Sequence, residues 1–443
     1  MRGDLKTLRE EELKLAEKFE RIGQRLDERN FSSSCLIEEY IDQHSAEDIG
    51  KEHRRLVGKW EGLLEEIRQL PKFKYFLGPV PFCQPRQACS GGQVIVINSR
   101  KYGVDALIFA ATGLIEHVPL SNIDSGTLAK LTGNVVLNRS VDGRTGRRYE
   151  FLTTLQEIWC KIVVPIFDKV QVALDGNSNL PQHRVWWYPT GPLTFIPIHA
   201  VGPGNGAPDV SRLIISSYVT TLHSLLQAQR QKMPVMPGCL KFLAISQPES
   251  PDQAPLAYST EEVEILVQVA CSAGWSEEDI LHLPREKATV HHVLDALDSC
   301  SWVHFACHGS QDPIVGMESA FALHDGDLEL GKIASKKLST AQFAFLSTCH
   351  AASGLKHLPG EAMHLAAGLQ FAGFCSVIAT MWSILDEVAP KVAEHTYRHL
   401  FCNGLQELNP SEAAAALNYA ILHLREDLKV TVDRWAPFIH FGI

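Results

Sequence analysis

The sequence lacks several features that would assign it to large classes of protein. Its 443 residues include 41 Lys and Arg against 51 Asp and Glu, and the net charge of -10 provides no basic surface for nucleic acid or anionic membrane. No apolar run reaches the length of a membrane-spanning helix. The charged segment after Met1 also lacks the apolar region of a signal peptide. We therefore expect a cytoplasmic protein that binds neither nucleic acid nor membrane.

Common cofactor and nucleophile motifs are absent as well. The sequence has no GxSxG, no GxxxxGK[ST] and no CxxC pair, and its eleven cysteines are an odd number. Reduced thiols in the cytosol fit this pattern better than a disulfide framework does. We predict no metal ion and no cofactor.

The N-terminal segment, residues 1–72, has the apolar spacing of two amphipathic helices. Apolar residues recur at alternating three- and four-residue steps, first from Leu5 to Leu26 and again from Ile49 to Leu70. These helices form a hairpin with two open interpretations: a packing element of the domain that follows, or the last unit of a helical repeat array. Their apolar faces also predict a docking site for a protein activator that raises a low basal activity.

The rest of the chain alternates between short apolar strands and helices. This pattern predicts two α/β domains, 73–235 and 236–443, with a mostly parallel sheet covered by helices on both faces. Within the first, we expect Pro165 to interrupt or kink a helix, and we expect two strands about the turn at Thr190. In such sheets, ligands bind at the carboxyl ends of the strands.

Two apolar strands end in reactive side chains. "WVHFACHGSQ" (301–310) leads to His308, and "FAFLSTCHAASG" (343–354) leads to Cys349. Adjacent parallel strands lie about 5 Å apart, so an imidazole past one end can activate a thiol past the next. The backbone N–H groups of Gly309 and Cys349 would then bind an oxyanion. Cys307 fits a small buried packing residue instead.

These strands resemble those of the caspase, separase and gingipain group of cysteine peptidases. Together with "GEAMHLAAGLQFAGFCSVIATMWSILDE" and the terminal "RWAPFIHFG", they are similar to the CHAT domain over roughly 150–443. The resemblance implies a His308–Cys349 dyad in a caspase-like sheet, preceded by a degenerate, non-catalytic α/β half and a TPR-like N-terminal hairpin. One departure is His350, which stands where this family usually has Glu. Its imidazole either assists ionisation of the thiol or alters substrate contacts.

The sequence therefore predicts a cytosolic cysteine endopeptidase that acts on protein substrates. The alternative is a pseudo-protease that keeps the fold as a scaffold or signalling adaptor. The resemblance also draws attention to Asp386, the acid after the Trp-containing strand. Asp386 either binds a basic substrate side chain or caps the helix that runs through Val388 and Ala389.

Overall fold

The computed structural model describes most of the chain: residues 2–34, 43–78, 88–139, 145–170, 183–204, 206–230, 240–250, 253–312, 316–336, 338–348 and 365–443. The chain divides into two compact units, Met1–Gln84 and Pro85–Ile443.

The helices of the described residues are α1 (Arg2–Glu11), α2 (Leu13–Ser34), α3 (Gln43–Gln69), α4 (Ser125–Asn138), α5 (Thr145–Ile158), α6 (Val164–Val170), α7 (Val210–Leu213), α8 (Leu222–Arg230), α9 (Ser259–Ser272), α10 (Val290–Leu297), α11 (Leu330–Ser335), α12 (Leu365–Ala372), α13 (Ala389–Leu400), α14 (Ala413–Glu426) and α15 (Val432–Trp435). The strands are β1 (Gln93–Arg100), β2 (Gly103–Phe109), β3 (Ile115–Pro119), β4 (His183–Pro189), β5 (Ile214–Tyr218), β6 (Phe242–Ser246), β7 (Ile280–Pro284), β8 (Trp302–Ala306), β9 (Gly309–Ser310), β10 (Ala320–Ala322), β11 (Asp327–Glu329), β12 (Phe343–Ser347), β13 (Ser376–Thr380) and β14 (Phe438–Gly442).

In its described residues, the N-terminal unit has three α-helices where the sequence predicts two. The first apolar run divides at Glu12, between α1 and α2, and the second run forms α3. Phe19 of α2 packs against Phe76, with ring centroids 5.4 Å apart, and Ile67 of α3 is buried in the same cluster. The apolar stripes of these helices therefore form a small core of their own.

The second unit is organised around an eleven-stranded sheet in the order β3-β2-β1-β4-β5-β14-β13-β12-β8-β6-β7. Pairing is antiparallel among β1, β2 and β3 and between β13 and β14, and parallel elsewhere. Every residue of β6, β8, β12 and β13 is buried, as expected for parallel strands covered on both faces. The predicted mostly parallel α/β sheet is confirmed.

A π-helical segment, Trp159–Val163, interrupts the α-helical pattern just before Pro165, and the chain continues as α6 to Val170. One local prediction is wrong. After the turn at Thr190 the chain forms two 3₁₀ helices, Gly191–Phe195 and Ile198–Ala200, in place of a second strand. Pro192 and Pro197 lack the N–H groups that a central strand donates to its ladder.

Strand β14 connects the two halves of the large sheet. It pairs with β13 on one side and with β5 on the other. Its buried His440 is bound from both neighbours: Nδ1 lies 2.7 Å from the Ser217 hydroxyl of β5, and Nε2 lies 2.8 Å from the Ser376 hydroxyl of β13. A neutral imidazole satisfies both contacts, accepting at one nitrogen and donating at the other. One side chain therefore bonds both neighbouring strands to β14.

This arrangement predicts that the protein loses stability in mild acid. Burial, with the nearby Arg184 charge, holds the pKa of His440 well below its ordinary value, and burial lowers the pKa of His199 to about 3. Unfolded histidine titrates near ~6.5, so below that pH the unfolded state binds more protons than the folded state. Each histidine should then lower the free energy of unfolding by up to about 1.4 kcal/mol per pH unit.

Urea unfolding between neutral pH and mild acid measures this slope. His440→Gln should give a shallower pH dependence than the wild type. His291→Gln is the matched control, because it makes the same substitution at a side chain that is 80% exposed. Equal slopes for His440→Gln and the wild type would contradict the assignment.

Candidate active site

The carboxyl ends of β8 and β12 meet at one level of the sheet. These strands are parallel neighbours, and Ala306 pairs with Ser347. His308 and Cys349 each lie two positions beyond those paired residues in the sequence. Cys349 and His350 fall outside the described residues, which stop at Thr348 and resume at residue 365. The matched strand ends are the feature on which the predicted dyad depends.

Thr348, the residue before Cys349, is held by the next strand. It is buried, and its backbone carbonyl accepts a hydrogen bond from the Thr380 hydroxyl at the end of β13. The chain is thereby fixed up to the residue that precedes the predicted nucleophile.

The imidazole of His308 is oriented by a backbone carbonyl. Its Nε2 lies 2.8 Å from the carbonyl oxygen of Ala254, in the segment between β6 and α9. A carbonyl can only accept, so Nε2 must carry the proton, and Nδ1 of the neutral ring is the basic nitrogen. Ala254 was not found from the sequence, because a backbone contact leaves no side-chain signature.

The predicted oxyanion donor Gly309 lies in the short strand β9. The Ala322 N–H donates to the carbonyl of His308 at 2.9 Å, and Gly309 stands opposite Phe321. In an antiparallel ladder this places Gly309 in a non-hydrogen-bonded pair, so its N–H points away from β10. The N–H of Gly309 is therefore not hydrogen-bonded within the small sheet formed by β9, β10 and β11.

A buried polar cluster lies behind these strand ends. Glu262 of α9 accepts from the Ser347 hydroxyl at 3.0 Å, and its second oxygen lies 3.2 Å from Nε2 of His304 without hydrogen-bond alignment. Nδ1 of His304 is 3.1 Å from the hydroxyl of Tyr397, whose pKa is raised by burial and by the Glu262 charge. Removing one member would leave its buried polar neighbour without a partner, at a cost of about 1–3 kcal/mol. The cluster therefore fixes α9 to β8 and β12 close to the site.

Asp386 contacts the same segment that orients His308. Its Oδ2 accepts the Tyr258 N–H at 2.9 Å, at the start of α9. The helix α13 begins at Ala389 after Val388 and has no side-chain cap. The expectation that Asp386 caps that helix is therefore wrong, because its carboxylate is bonded to the beginning of another helix. His308 and Asp386 thus hold residues 254 and 258 of one short connection.

Cys307, which the sequence analysis interprets as a packing residue, is fully buried directly after β8. Among the described residues, no group of three or more His, Cys, Asp or Glu side chains is arranged to hold a metal ion. None of the helices within the described ranges combines the length and apolar character needed to cross a membrane.

The fold, a mostly parallel sheet flanked by helices, is caspase-like, as in separase. The CHAT domain family model matches residues 153–443, and the chain belongs to this family. No curated protein matches the sequence.

Solved structures with a similar fold include separase. The Saccharomyces cerevisiae separase–securin complex at 3.0 Å superposes with a TM-score of 0.52 and 11% identity, covering 81% of this chain and 30% of that chain. The same complex at 2.6 Å gives 0.51 and 10%, with 81% and 31% covered. This chain thus spans about 30% of the separase chain. The Arg-specific cysteine proteinase gingipain R of Porphyromonas gingivalis gives 0.44 and 13%, covering 80% of this chain and 77% of that one.

Proposed function

We propose that the protein is a cysteine endopeptidase with a His308–Cys349 dyad. The observation that carries the proposal is the register of β8 and β12, whose paired ends lead to these two residues after equal numbers of positions. The Ala254 carbonyl supports it further, because it gives His308 the tautomer that a general base requires. Membership of the CHAT family and the separase-like fold are consistent with this chemistry.

The reaction begins with proton transfer from the Cys349 thiol to Nδ1 of His308. The thiolate attacks the scissile carbonyl carbon and forms a C–S bond, while the N–H groups of Gly309 and Cys349 bind the developing oxyanion. Collapse of this intermediate breaks the C–N bond, and the imidazolium returns its proton to the leaving amine. Water, deprotonated by His308, then hydrolyses the thioester and restores the thiol.

The Ala254 carbonyl replaces the carboxylate of a catalytic triad in this scheme. Its bond to Nε2–H fixes the ring orientation and stabilises the imidazolium that forms when Nδ1 accepts a proton. A Cys–His pair whose imidazole is oriented by a carbonyl needs no third catalytic side chain. The sequence analysis likewise predicts a dyad of two residues.

A cysteine-directed covalent peptide probe tests the dyad. Cys349→Ala should abolish labelling, because the reactive sulfur is lost, whereas Cys307→Ala should leave labelling largely intact. His308→Ala should remove turnover without unfolding the protein, since its role is chemical. Measurement requires mass spectrometry of the labelled chain and thermal unfolding of each variant.

Labelling that persists in Cys349→Ala and disappears in Cys307→Ala would overturn this assignment. A folded wild-type protein that neither reacts with the probe nor cleaves any peptide would instead support the pseudo-protease scaffold.

We also propose that a protein partner docks on the N-terminal unit and raises activity. A groove of about 420 Å³ between α2 and α3 has an apolar floor that includes Ile22 and Leu63, and it is lined by Lys18, Arg21 and Lys59 with Glu66. The excess of cations favours an acidic amphipathic segment as the occupant. The separase structures contain a protein partner, securin, so a protein with this fold forms a complex with another protein.

Removing residues 1–72 should abolish stimulation by a partner and leave the low basal activity. In the full chain, Lys18→Glu with Lys59→Glu should do the same, because both reverse the charge of the groove. Peptidase assays with added cell extract, before and after the change, measure the effect. If the wild type, the truncated protein and the double variant all have the same high activity without extract, the N-terminal unit is a packing element only.

Asp386 is proposed to select a basic substrate side chain. Its Oδ2 is bonded to Tyr258, which leaves Oδ1 as the acceptor for Arg or Lys. Because the residue follows β13, it lies on the edge of the sheet where the dyad is proposed.

Asp386→Asn separates the charge from the backbone contact, since an amide oxygen can still accept the Tyr258 N–H. Cleavage after Arg or Lys should fall by about tenfold or more while stability barely changes. Asp386→Ala should also lower stability, because the acceptor is lost. A peptide library that reveals no basic preference in the wild type would end the proposal.

A further inference from the structure

A small cavity lies among β5, β14, α14 and the 3₁₀ helix Ile198–Ala200. It offers about 20 Å³ to the centre of a water molecule. One water needs roughly 10–15 Å³ on this measure, so the cavity has room for about one. Leu417 and Ile421 of α14 form an apolar part of its wall, and the polar side chains of His199 and Asn418 also line it.

The amide of Asn418 supplies an unpartnered acceptor. Its Nδ2 lies 2.8 Å from the carbonyl oxygen of Ser211 and 3.5 Å from that of Ile214. Because a carbonyl can only accept, the NH₂ group must face these two oxygens, which fixes the orientation of the amide. The residue is 8% exposed, and its Oδ1 is buried with no hydrogen-bond partner among the described residues.

The imidazole of His199 supplies an unpartnered donor. Its Nδ1 lies 2.9 Å from the Tyr218 hydroxyl, which also accepts the backbone N–H of His199 at 3.3 Å, so the hydroxyl donates its own proton to Nδ1. Burial lowers the pKa of the ring to about 3, against a smaller raising effect of the Ala436 carbonyl. The ring is therefore neutral, with its single N–H at Nε2. In the part of the chain that the structure describes, this Nε2 is buried without a hydrogen-bond partner.

A donor and an acceptor that line one small cavity restrict the class of ligand. A cation offers no lone pair to the Nε2–H of His199, and an anion is repelled by the lone pairs of Oδ1 of Asn418. An apolar molecule leaves both groups unsatisfied, which is unfavourable in a buried site. Water both accepts and donates, and it fits the volume.

Ser216 adds a third polar group to the wall. Its hydroxyl accepts from the indole Nε1 of Trp187 at 3.1 Å and still has a proton to donate. Buried waters typically make about three hydrogen bonds, and His199, Asn418 and Ser216 supply that number.

We propose that this cavity is a binding site for one ordered water molecule, which accepts from Nε2–H of His199 and donates to Oδ1 of Asn418. The water completes a chain of hydrogen bonds from Tyr218 through His199 and Asn418 to the carbonyl of Ser211. It therefore joins α14 to segments distant in the sequence, at a point separate from the contacts of His440. The site is independent of the proposed peptidase chemistry.

Relaxation dispersion of isotopically labelled water tests the site in solution, because its amplitude reports the number of slowly exchanging internal waters. Asn418→Leu removes the acceptor and should lower the amplitude by the equivalent of one water. His199→Phe removes the donor and should have the same effect. Asn138→Leu is the matched control, since it makes the same substitution at a residue that is 7% exposed and does not line the cavity. Circular dichroism and thermal unfolding check that each variant is folded.

A crystal structure of the full wild-type chain tests the site without any substitution, and it decides the question if the variants unfold. Density for a single water should lie about 2.6–3.2 Å from both Nε2 of His199 and Oδ1 of Asn418.

Three results would refute the site. The first is an amplitude that stays unchanged in folded Asn418→Leu and His199→Phe. The second is an equal loss in Asn138→Leu, which would show that the amplitude follows a general loosening of the protein. The third is a crystal structure in which Nε2 of His199 donates directly to the Ala436 carbonyl and no water bonds Oδ1 of Asn418.

Discussion

The fold depends on β14, the strand that pairs with both β5 and β13. Without it, the strands of the first α/β half and those of the second would form two sheets with exposed edges. His440 contributes bonds in both directions, and the indole of Trp186 adds a contact from β4 to the carbonyl of Gly442 at 2.7 Å. These contacts at β14 therefore join the strands of the two halves into one sheet.

The site depends on a second geometric constraint, the alignment of neighbouring strands. Parallel pairing sets the ends of β6, β8 and β12 at one level, because Ser246 and Ser347 both pair with Ala306. The connections that leave those ends supply the Ala254 carbonyl, the His308 ring and the residues after Thr348. A shift of register by one residue would turn each buried side chain to the opposite face of the sheet.

Sequence patterns predicted the elements that have strong periodicity. Continuous apolar runs identified β6, β8, β12 and β13, and the glycine after His308 indicated a change of chain direction. Hydrogen bonds to the backbone leave no side-chain pattern in the sequence, which is why Ala254 was missed and why the capping alternative for Asp386 named the wrong helix.

The position of β14 has a consequence for synthesis of the protein. Residues 438–442 follow every other strand of the large sheet in chain order, yet they occupy an interior place in it. While the ribosome still covers this segment, β5 and β13 both have open edges, and neither half can be completed by its own strands. Folding of the large sheet must then follow translation of β14, and nascent chains are exposed to edge-to-edge association until that point.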